Sequence, residues 1–228
     1  MSAAKRATLL LLLLAAIGAN ASHDHNGCHG LNTPLSKTDL HEVFGDWVLV
    51  WSVADYRRGR DLLPKLISSH VELRLLPDDH TVMFNERNLF VDESCTKHFI
   101  NMSTSDSDNH SLHNIAAMLE TDGVVSHNNE EGHTDFYKSC SDCLLMVYTS
   151  AEGRYLLNYR REGHHQDVEV LKAALSDHQR LAESLGFPLD KPFSYDGAAD
   201  FCHKKSSAVE ESGCDAQRAS TYQTCSAP

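Results

Sequence analysis

Hydrophobic and polar residues alternate along much of the chain between residues 45 and 159, a period typical of β-strands with one buried face. Turn-forming residues such as Pro77-Asp78-Asp79 and Glu152-Gly153 separate the alternating segments. The segments predicted as strands are 45–54, 71–75, 81–86, 95–100, 114–119, 134–138, 144–148 and 155–159. The basic segment Arg57-Arg58-Gly59-Arg60 reads as a loop after the first strand, with a short helical turn at 62–67.

The period changes after residue 167, where apolar residues recur at intervals of three and four. Asp167 precedes this segment as a plausible N-cap, and Gly186-Phe187-Pro188 follows it as a stop signal. The positions on the apolar face are Val168, Leu171, Ala174, Leu175, His178 and Leu181. The pattern therefore predicts one amphipathic helix of about five turns.

The predicted elements favour an all-β fold, because about eight antiparallel strands at short spacing precede a single helix. We expect an eight-stranded antiparallel up-and-down barrel with one C-terminal α-helix packed outside. Closure into a barrel removes exposed strand edges. A barrel of this size has room for side chains or for one small ligand.

The two ends of the chain differ from the strand region. Residues 1–21 carry Lys5 and Arg6, then an apolar run, then the small residues of Ala19-Asn20-Ala21, as secretory signal peptides do. The apolar run is shorter than the roughly 20 residues that span a bilayer. Residues 203–228 are polar and Ser-rich, so we expect a flexible tail there and a folded domain over 22–202.

Charge and residue composition exclude some functional classes and indicate where the protein acts. The net charge is −12 at pH 7, and removal of Lys5 and Arg6 with the signal peptide makes it −14. This acidity argues against binding to nucleic acid or to anionic membranes. The seven cysteines fit an oxidising compartment. Asn101-Met102-Ser103 and Asn109-His110-Ser111 are acceptor sequons, so the expected protein is a secreted, extracellular glycoprotein.

Gly45-Asp46-Trp47 opens the first predicted strand. Glycine permits a tight turn into the strand, and a tryptophan at its base can plug one end of a small barrel. Cys28 stands ahead of a Pro-containing lead-in, Cys95 falls on the fourth strand just before Asn101, and the helix precedes Cys202. With these features the chain resembles a lipocalin. Within that family it resembles the alpha-1-acid glycoprotein (orosomucoid) branch, close to the fish tributyltin-binding and saxitoxin/tetrodotoxin-binding proteins, and it is also similar to apolipoprotein M.

The resemblance implies a binding calyx, a Cys95–Cys202 bridge, and a basic residue after the last strand that packs over Trp47. Arg160 and Arg161 compete for that last role. The orosomucoid cysteine near the end of the helix is missing, so Cys28 is left to pair with Cys140 or Cys143, or to remain apart. The Cys140-Ser141-Asp142-Cys143 spacing is redox-like, but at a strand turn in an oxidising compartment it reads as structural.

The barrel interior is the candidate binding site, because a small barrel with an apolar inner face forms a pocket for one small molecule. The residues that alternation places on that face are Leu49, Trp51, Val53, Val71, Leu73, Leu75, Val82, Phe84, Glu86, Met146, Tyr148, Leu157 and Tyr159. These residues either line a pocket or simply fill a core. Glu86 stands out, because a carboxylate facing an apolar cavity is costly unless paired. A cationic ligand would supply the pair; alternatively, Glu86 lies in water at the rim.

Other chemistry finds little support in the sequence. The 15 histidines lie mostly outside the predicted strands, among them His23, His25, His29, His127, His133, His164 and His165. They lack the fixed spacing of a metal centre, so solvated loop histidines are expected and no metal or other cofactor. The sequence has no Gly-x-Ser-x-Gly, no His-Glu-x-x-His and no phosphate loop, so we expect no enzyme.

The sequence thus predicts a carrier that binds and transports small hydrophobic or cationic-amphiphilic molecules, such as lipids, steroids, xenobiotics or toxins, in a plasma-type fluid. Two alternatives stay open: an immunomodulatory, surface-acting acidic glycoprotein with no essential ligand, and a secreted low-affinity metal binder. The expected partners are a small hydrophobic or cationic ligand and, as further candidates, a cell-surface receptor or a lipoprotein particle. A monomer is expected, with neither nucleic-acid binding nor membrane insertion.

Overall fold

The computed structural model describes residues 34–104, 110–127, 131–197 and 202. The expected signal peptide, residues 23–29, Asn109 and the 203–228 tail lie outside the described residues. Among the described residues, no helix has both the length and the apolar character needed to cross a membrane.

The described elements are ten strands and two α-helices, with a 3₁₀ helix (Lys37–Val43) ahead of the first strand and another (Leu63–Lys65) after the first α-helix. The strands are β1 (Gly45–Ala54), β2 (Leu66–Leu75), β3 (Thr81–Phe90), β4 (Cys95–Thr104), β5 (Leu112–Thr121), β6 (Val124–His127), β7 (Gly132–Lys138), β8 (Cys143–Ser150), β9 (Arg154–Arg161) and β10 (Phe193–Ser194). The α-helices are α1 (Arg57–Leu62) and α2 (Val168–Ser184).

The strands close into a barrel. Each neighbouring pair in the order β1-β2-β3-β4-β5-β7-β8-β9 is antiparallel, and β9 pairs back with β1. The short β6 extends from β5, and β10 pairs with β1 at Trp51 and Ser52. The predicted eight-stranded antiparallel barrel with a C-terminal helix is therefore confirmed.

The segment 57–60 is helical, so its interpretation as a loop was wrong. Arg57 and Asp61 form an ion pair across one helical turn, with Nε and Oδ2 3.7 Å apart. Gly59 packs so tightly that a Cβ there would lie 2.6 Å from the Cβ of Ala54. Because Gly59 has no side chain, α1 lies directly against the C-terminal end of β1.

The C-terminal helix follows the sequence prediction closely. The Asp167 side chain accepts hydrogen bonds from the backbone N–H groups of Glu169 and Val170, as an N-cap does. Gly186, with φ of +77°, takes the left-handed conformation that ends the helix. The helix packs on the outside of the barrel, where Ala182 and Phe187 belong to the same buried cluster as Trp51.

A β-bulge in β1 reverses which side chains face inward. Leu49 is paired with Tyr159 and Trp51 with Asn158, so Val50 is the extra residue. Beyond the bulge, Trp51 and Val53 lie in the outer cluster beneath α2. The prediction that Trp51 and Val53 face the interior with Leu49 was wrong, because one inserted residue shifts the alternation by one position.

Two disulfides join described cysteines. Cys95 and Cys202 are bonded, with Cα atoms 5.6 Å apart, and Cys140 is bonded to Cys143, with Cα atoms 4.8 Å apart. Of the alternatives open for Cys28, pairing with Cys140 or with Cys143 is therefore wrong, and Cys28 itself lies outside the described residues. A tight turn, in which the backbone N–H of Cys143 donates to the carbonyl of Cys140 at 3.1 Å, holds those two residues together.

Candidate functional site

One end of the barrel is closed by the tryptophan of the Gly-x-Trp segment. Trp47 is 1% exposed, and its Nε1–H donates to the carbonyl of Val43 at 2.8 Å. The guanidinium carbon of Arg161 lies 4.3 Å from the centroid of the Trp47 ring. Arg160 points elsewhere, with Nη1 3.5 Å from Sγ of Cys140. Arg161, not Arg160, therefore covers the tryptophan.

A group of potential metal ligands also lies at this end. One ligand atom each from Asp46, His70 and Glu162 falls within 4.8 Å of the others. Arg87 donates to His70 Nδ1 at 2.6 Å, so the imidazole proton resides on Nε2 and faces Glu162. Burial, and then Arg87, lower the pKa of His70. Arg74 pairs with Asp46 at 3.1 Å, so two of the three candidate ligands, Asp46 and His70, already have arginine partners.

The opposite half of the barrel contains a cavity of about 230 Å³. Its lining is mainly apolar and aromatic, with a few polar groups among them, as in small-molecule sites generally. The predicted interior residues that line it are Leu49, Phe84, Glu86, Met146, Tyr148, Leu157 and Tyr159. Alternation on β3, β8 and β9 placed its residues on the correct face.

The remaining residues predicted on β2 and β3 do not line the cavity. Val71, Leu73 and Val82 are buried in the barrel core without lining the cavity. They sit toward the closed end, where Leu73 is paired with Gly45. Leu75 is 43% exposed, so its prediction as an interior residue was wrong: it is the last residue of β2 and lies beyond the barrel interior.

Several lining residues were missed by sequence reasoning. Those on strands are Leu66, Asn88, Phe90, His98, Ile100, Met102, Asn114, Leu119, Thr134 and Tyr155, and those between strands are Tyr56, Arg58, Leu62, Leu63 and Glu152. His98, Ile100 and Met102 alternate on β4, a pattern that could have nominated them. On β5, Ile115 bulges between Asn114, paired with Met102, and Ala116, paired with Asn101. Asn114 and Leu119 therefore both face inward although they are five residues apart. Strict alternation would place two residues at that spacing on opposite faces of the strand.

Glu86 is the carboxylate in the interior part of this lining. It is paired across the sheet with Val71 on β2 and His98 on β4, and Ser69 Oγ donates to its Oε1 at 3.2 Å. Among the described residues, no basic side chain lies within 4.0 Å ion-pair distance of the Glu86 carboxylate. The cavity therefore holds a carboxylate whose charge the described protein atoms leave unpaired.

Two further polar groups in the cavity lack partners. The Tyr159 hydroxyl is buried, in a residue 2% exposed, and has no hydrogen-bond partner among the described atoms. The same holds for Oδ1 of Asn88. Burial raises the pKa of Tyr159 well above its usual range, and the charge of Glu86 raises it further, so this phenol stays neutral. A ligand with several N–H donors could satisfy Glu86 and Asn88 together.

The mouth carries one balanced ion pair. Arg58 Nη1 lies 3.4 Å from Oε1 of Glu152, and both side chains are more than half exposed. Such a pair contributes little energy and leaves no net charge. Apart from this pair, Glu86 is the one Asp, Glu, Lys or Arg side chain among the described residues that line the cavity.

Comparisons with known proteins identify two curated relatives from Takifugu pardalis. Saxitoxin and tetrodotoxin-binding proteins 1 and 2 are each 48% identical over 200 residues, which is 87% of this chain. The match covers 50% of each relative, so the chain spans about half the length of the curated relatives it matches. No protein-family model matches the chain.

Solved structures support the fold. The siderocalin Ex-FABP superposes with a TM-score of 0.52 at 12% identity, covering 70% of this chain and 97% of that protein. A second siderocalin, described as having a dual ligand binding mode, gives 0.54 at 11% identity, covering 74% and 97%. At such low identity these similarities establish the barrel architecture alone.

Proposed function

We propose that this chain, which has the lipocalin fold and is similar to toxin-binding proteins, binds a compact cationic molecule in the barrel cavity. The observation that carries the proposal is Glu86, a carboxylate in an apolar cavity with no basic side chain in ion-pair distance among the described residues. Glu86 is half-buried and accepts a hydrogen bond from Ser69 Oγ at 3.2 Å, so its carboxylate retains acceptor capacity that a bound cation would use in charge-assisted hydrogen bonds.

The neighbouring groups favour a cation that carries several N–H donors. The Asn88 oxygen accepts hydrogen bonds, and the neutral Tyr159 hydroxyl can accept one as well. Tyrosine rings, including Tyr148 and Tyr155, add faces on which a planar cation can stack. A guanidinium group combines all three properties: positive charge, several donors and a flat shape.

The size of the cavity limits the ligand. About 230 Å³ is below the range of roughly 300 to 1,000 Å³ usual for drug-sized ligands. Apolar residues such as Phe84, Met146 and Leu157 line the rest of the space and would contact the uncharged part of the ligand. These features favour a compact cationic amphiphile over a long-chain lipid.

The biological setting that we propose is a secreted carrier in an extracellular fluid. The predicted signal peptide and the Asn101 sequon support secretion, and the names of the relatives, which describe saxitoxin and tetrodotoxin binding, support a carrier. The alternative of an acidic glycoprotein with no essential ligand requires a filled barrel. The cavity argues against that alternative, and a ligand-dependent rise in Tm would separate the two.

The test is Glu86→Gln, which removes the charge and keeps the shape. Calorimetric titration would use saxitoxin, tetrodotoxin and a series of aryl guanidinium compounds with their neutral aryl urea isosteres. We expect the substitution to weaken binding of the cations by about 1 to 3 kcal/mol, the value of a charge-assisted hydrogen bond. Binding of the ureas should change little, because they carry no charge for Glu86 to pair with.

The matched control is Glu152→Gln at the mouth, where the carboxylate is 54% exposed and paired with Arg58. It removes the same charge from the same chain and should leave cation affinity nearly unchanged. Equal losses for guanidinium and urea ligands in Glu86→Gln would contradict the proposal, as would equal effects of the two substitutions.

A further inference from the structure

Two histidines lie side by side on the outer face of the barrel, away from the cavity. His113 on β5 and His133 on β7 are directly paired across the two strands. Their inner-facing neighbours Asn114 and Thr134 line the cavity, so the imidazoles project from the opposite face. The sequence places these residues 20 positions apart, and the closure of the barrel brings them together.

The separation of the rings suits shared coordination of one ion. The ring centroids are 5.7 Å apart and the ring planes are inclined at 44°. A zinc-like ion lies about 2.0 to 2.1 Å from each ligating nitrogen, which places it roughly 3.2 Å from each ring centroid. Two imidazoles on a tetrahedral ion then have centroids about 5.2 Å apart. The observed centroid separation exceeds that value by about 0.5 Å.

The surroundings favour a cation at this point. Among the described residues, no group hydrogen-bonds to either imidazole. The outward neighbours across the sheet are Ser103 on β4 and Thr149 on β8, neither of which is charged. Asp135 lies two residues along β7 on the same face, where Ser111 Oγ donates to its Oδ1 at 2.5 Å. Its carboxylate adds negative potential beside the pair.

This histidine pair joins β5 to β7 across the boundary between them, here called the β5–β7 seam. Of all neighbouring barrel strands, these two have the fewest paired residues among the described residues. Among the described residues, β5 and β7 are paired at two positions, Leu112 with Thr134 and His113 with His133. By comparison, β2 and β3 are paired at nine positions. A metal held by both imidazoles would therefore cross-link the two strands where few backbone hydrogen bonds join them.

We propose that His113 and His133 form a binding site for one zinc- or copper-class ion that clasps the β5–β7 seam. Imidazole nitrogen is a preferred ligand of both metals, and water completes the coordination. The site is separate from the cavity and does not depend on the function proposed for Glu86. It does not involve His23, His25 or His29, which lie outside the described residues.

The test uses the full mature chain with His23, His25 and His29 replaced by glutamine, so that the N-terminal histidines do not contribute. Tm is measured with and without ZnCl₂, and CuCl₂ is titrated by calorimetry. We expect Zn²⁺ to raise the Tm of this background protein, because a ligand that binds only the folded state stabilises it. His113→Gln and His133→Gln should each abolish that rise and remove one equivalent of bound Cu²⁺.

His80→Gln is the matched control, because His80 is exposed on the β2–β3 turn, away from the seam. It should retain both the Tm rise and the copper stoichiometry. The metal-free Tm of each histidine variant, equal to that of the background, would show that the fold is intact. A Zn²⁺-induced rise that survives either seam substitution overturns the proposal, as does the absence of saturable metal binding by the background protein.

Discussion

The guanidinium of Arg161 lies over the Trp47 ring and also donates through Nη1 to the carbonyl of Phe44 at 3.3 Å. Gly45 makes room for it: a Cβ on this residue, which has φ of +140°, would lie 2.5 Å from Arg161 Nη1. At the residue scale, the closed end of the barrel therefore rests on a glycine, a tryptophan and one of two adjacent arginines.

This asymmetry between the adjacent arginines predicts unequal effects of the same substitution. Arg161→Lys loses the planar stacking on Trp47 and should lower the free energy of unfolding by about 1 to 2 kcal/mol. Arg160→Lys, at a site on the barrel surface, should change it by about 0.5 kcal/mol or less. Urea denaturation followed by Trp fluorescence measures both. Equal destabilisation would mean that the contact with Trp47 contributes nothing specific.

At the scale of elements, the packing of α2 depends on the bulge in β1. Because Val50 is inserted, Trp51 faces outward and stacks against His178 of α2, with ring centroids 5.6 Å apart. Burial and, to a smaller extent, the charge of Arg160 lower the pKa of His178 to about 4, while the charge of Asp177 opposes the shift. His178 is thus neutral in the folded protein at pH 7.

The pKa of His178 predicts a pH-dependent stability. Unfolded His178 binds a proton below about pH 6.5, whereas the folded residue resists protonation until about pH 4. The contribution of His178 to the free energy of unfolding is therefore fully present above pH 6.5. It is lost as the pH falls toward 4, which lowers the free energy of unfolding by roughly 3 kcal/mol. His178→Phe, which keeps an aromatic ring on Trp51, should remove that part of the slope in urea denaturation.

Two other histidines also make the free energy of unfolding depend on pH, so His178→Phe should reduce this dependence without removing it. Burial also lowers the pKa values of His70 and His165, so they contribute with the same sign and some pH dependence should persist. His80→Phe, on an exposed turn, is the control and should retain the full slope. An unchanged slope in His178→Phe would show that this imidazole is solvated.

At the scale of the whole molecule, two disulfides constrain the chain to different extents. Cys95–Cys202 links the start of β4 to the segment after α2, a sequence separation of 107 residues. Cys140–Cys143 closes a turn with a separation of 3. The entropy lost by the unfolded chain grows with the length of the closed loop.

Replacing each pair of cysteines by serine should therefore have unequal effects. The chain-entropy relation predicts a loss of about 5 kcal/mol for Cys95 with Cys202 and about 2 kcal/mol for Cys140 with Cys143. Guanidinium chloride denaturation of the two double variants measures the difference, with each serving as the other's control. A larger loss for the short loop would contradict the entropic account.

The local patterns of the sequence determined the class of fold. The period of two in β3, β8 and β9 identified strands and placed Phe84, Glu86 and Tyr159 on the inner face correctly. The N-cap Asp167 and the stop at Gly186 fixed the helix. These signals are local because backbone periodicity and capping involve residues only a few positions apart.

The tertiary structure alone decided which residues meet. A single inserted residue at Val50 moved Trp51 from the predicted cavity to the helix interface, and the sequence carries no mark of that bulge. Pairing between strands likewise set His98 beside Glu86 and His113 beside His133. The physical reason is that strand register depends on the closure of the entire barrel, so contacts between distant residues follow from the packing of all the strands together.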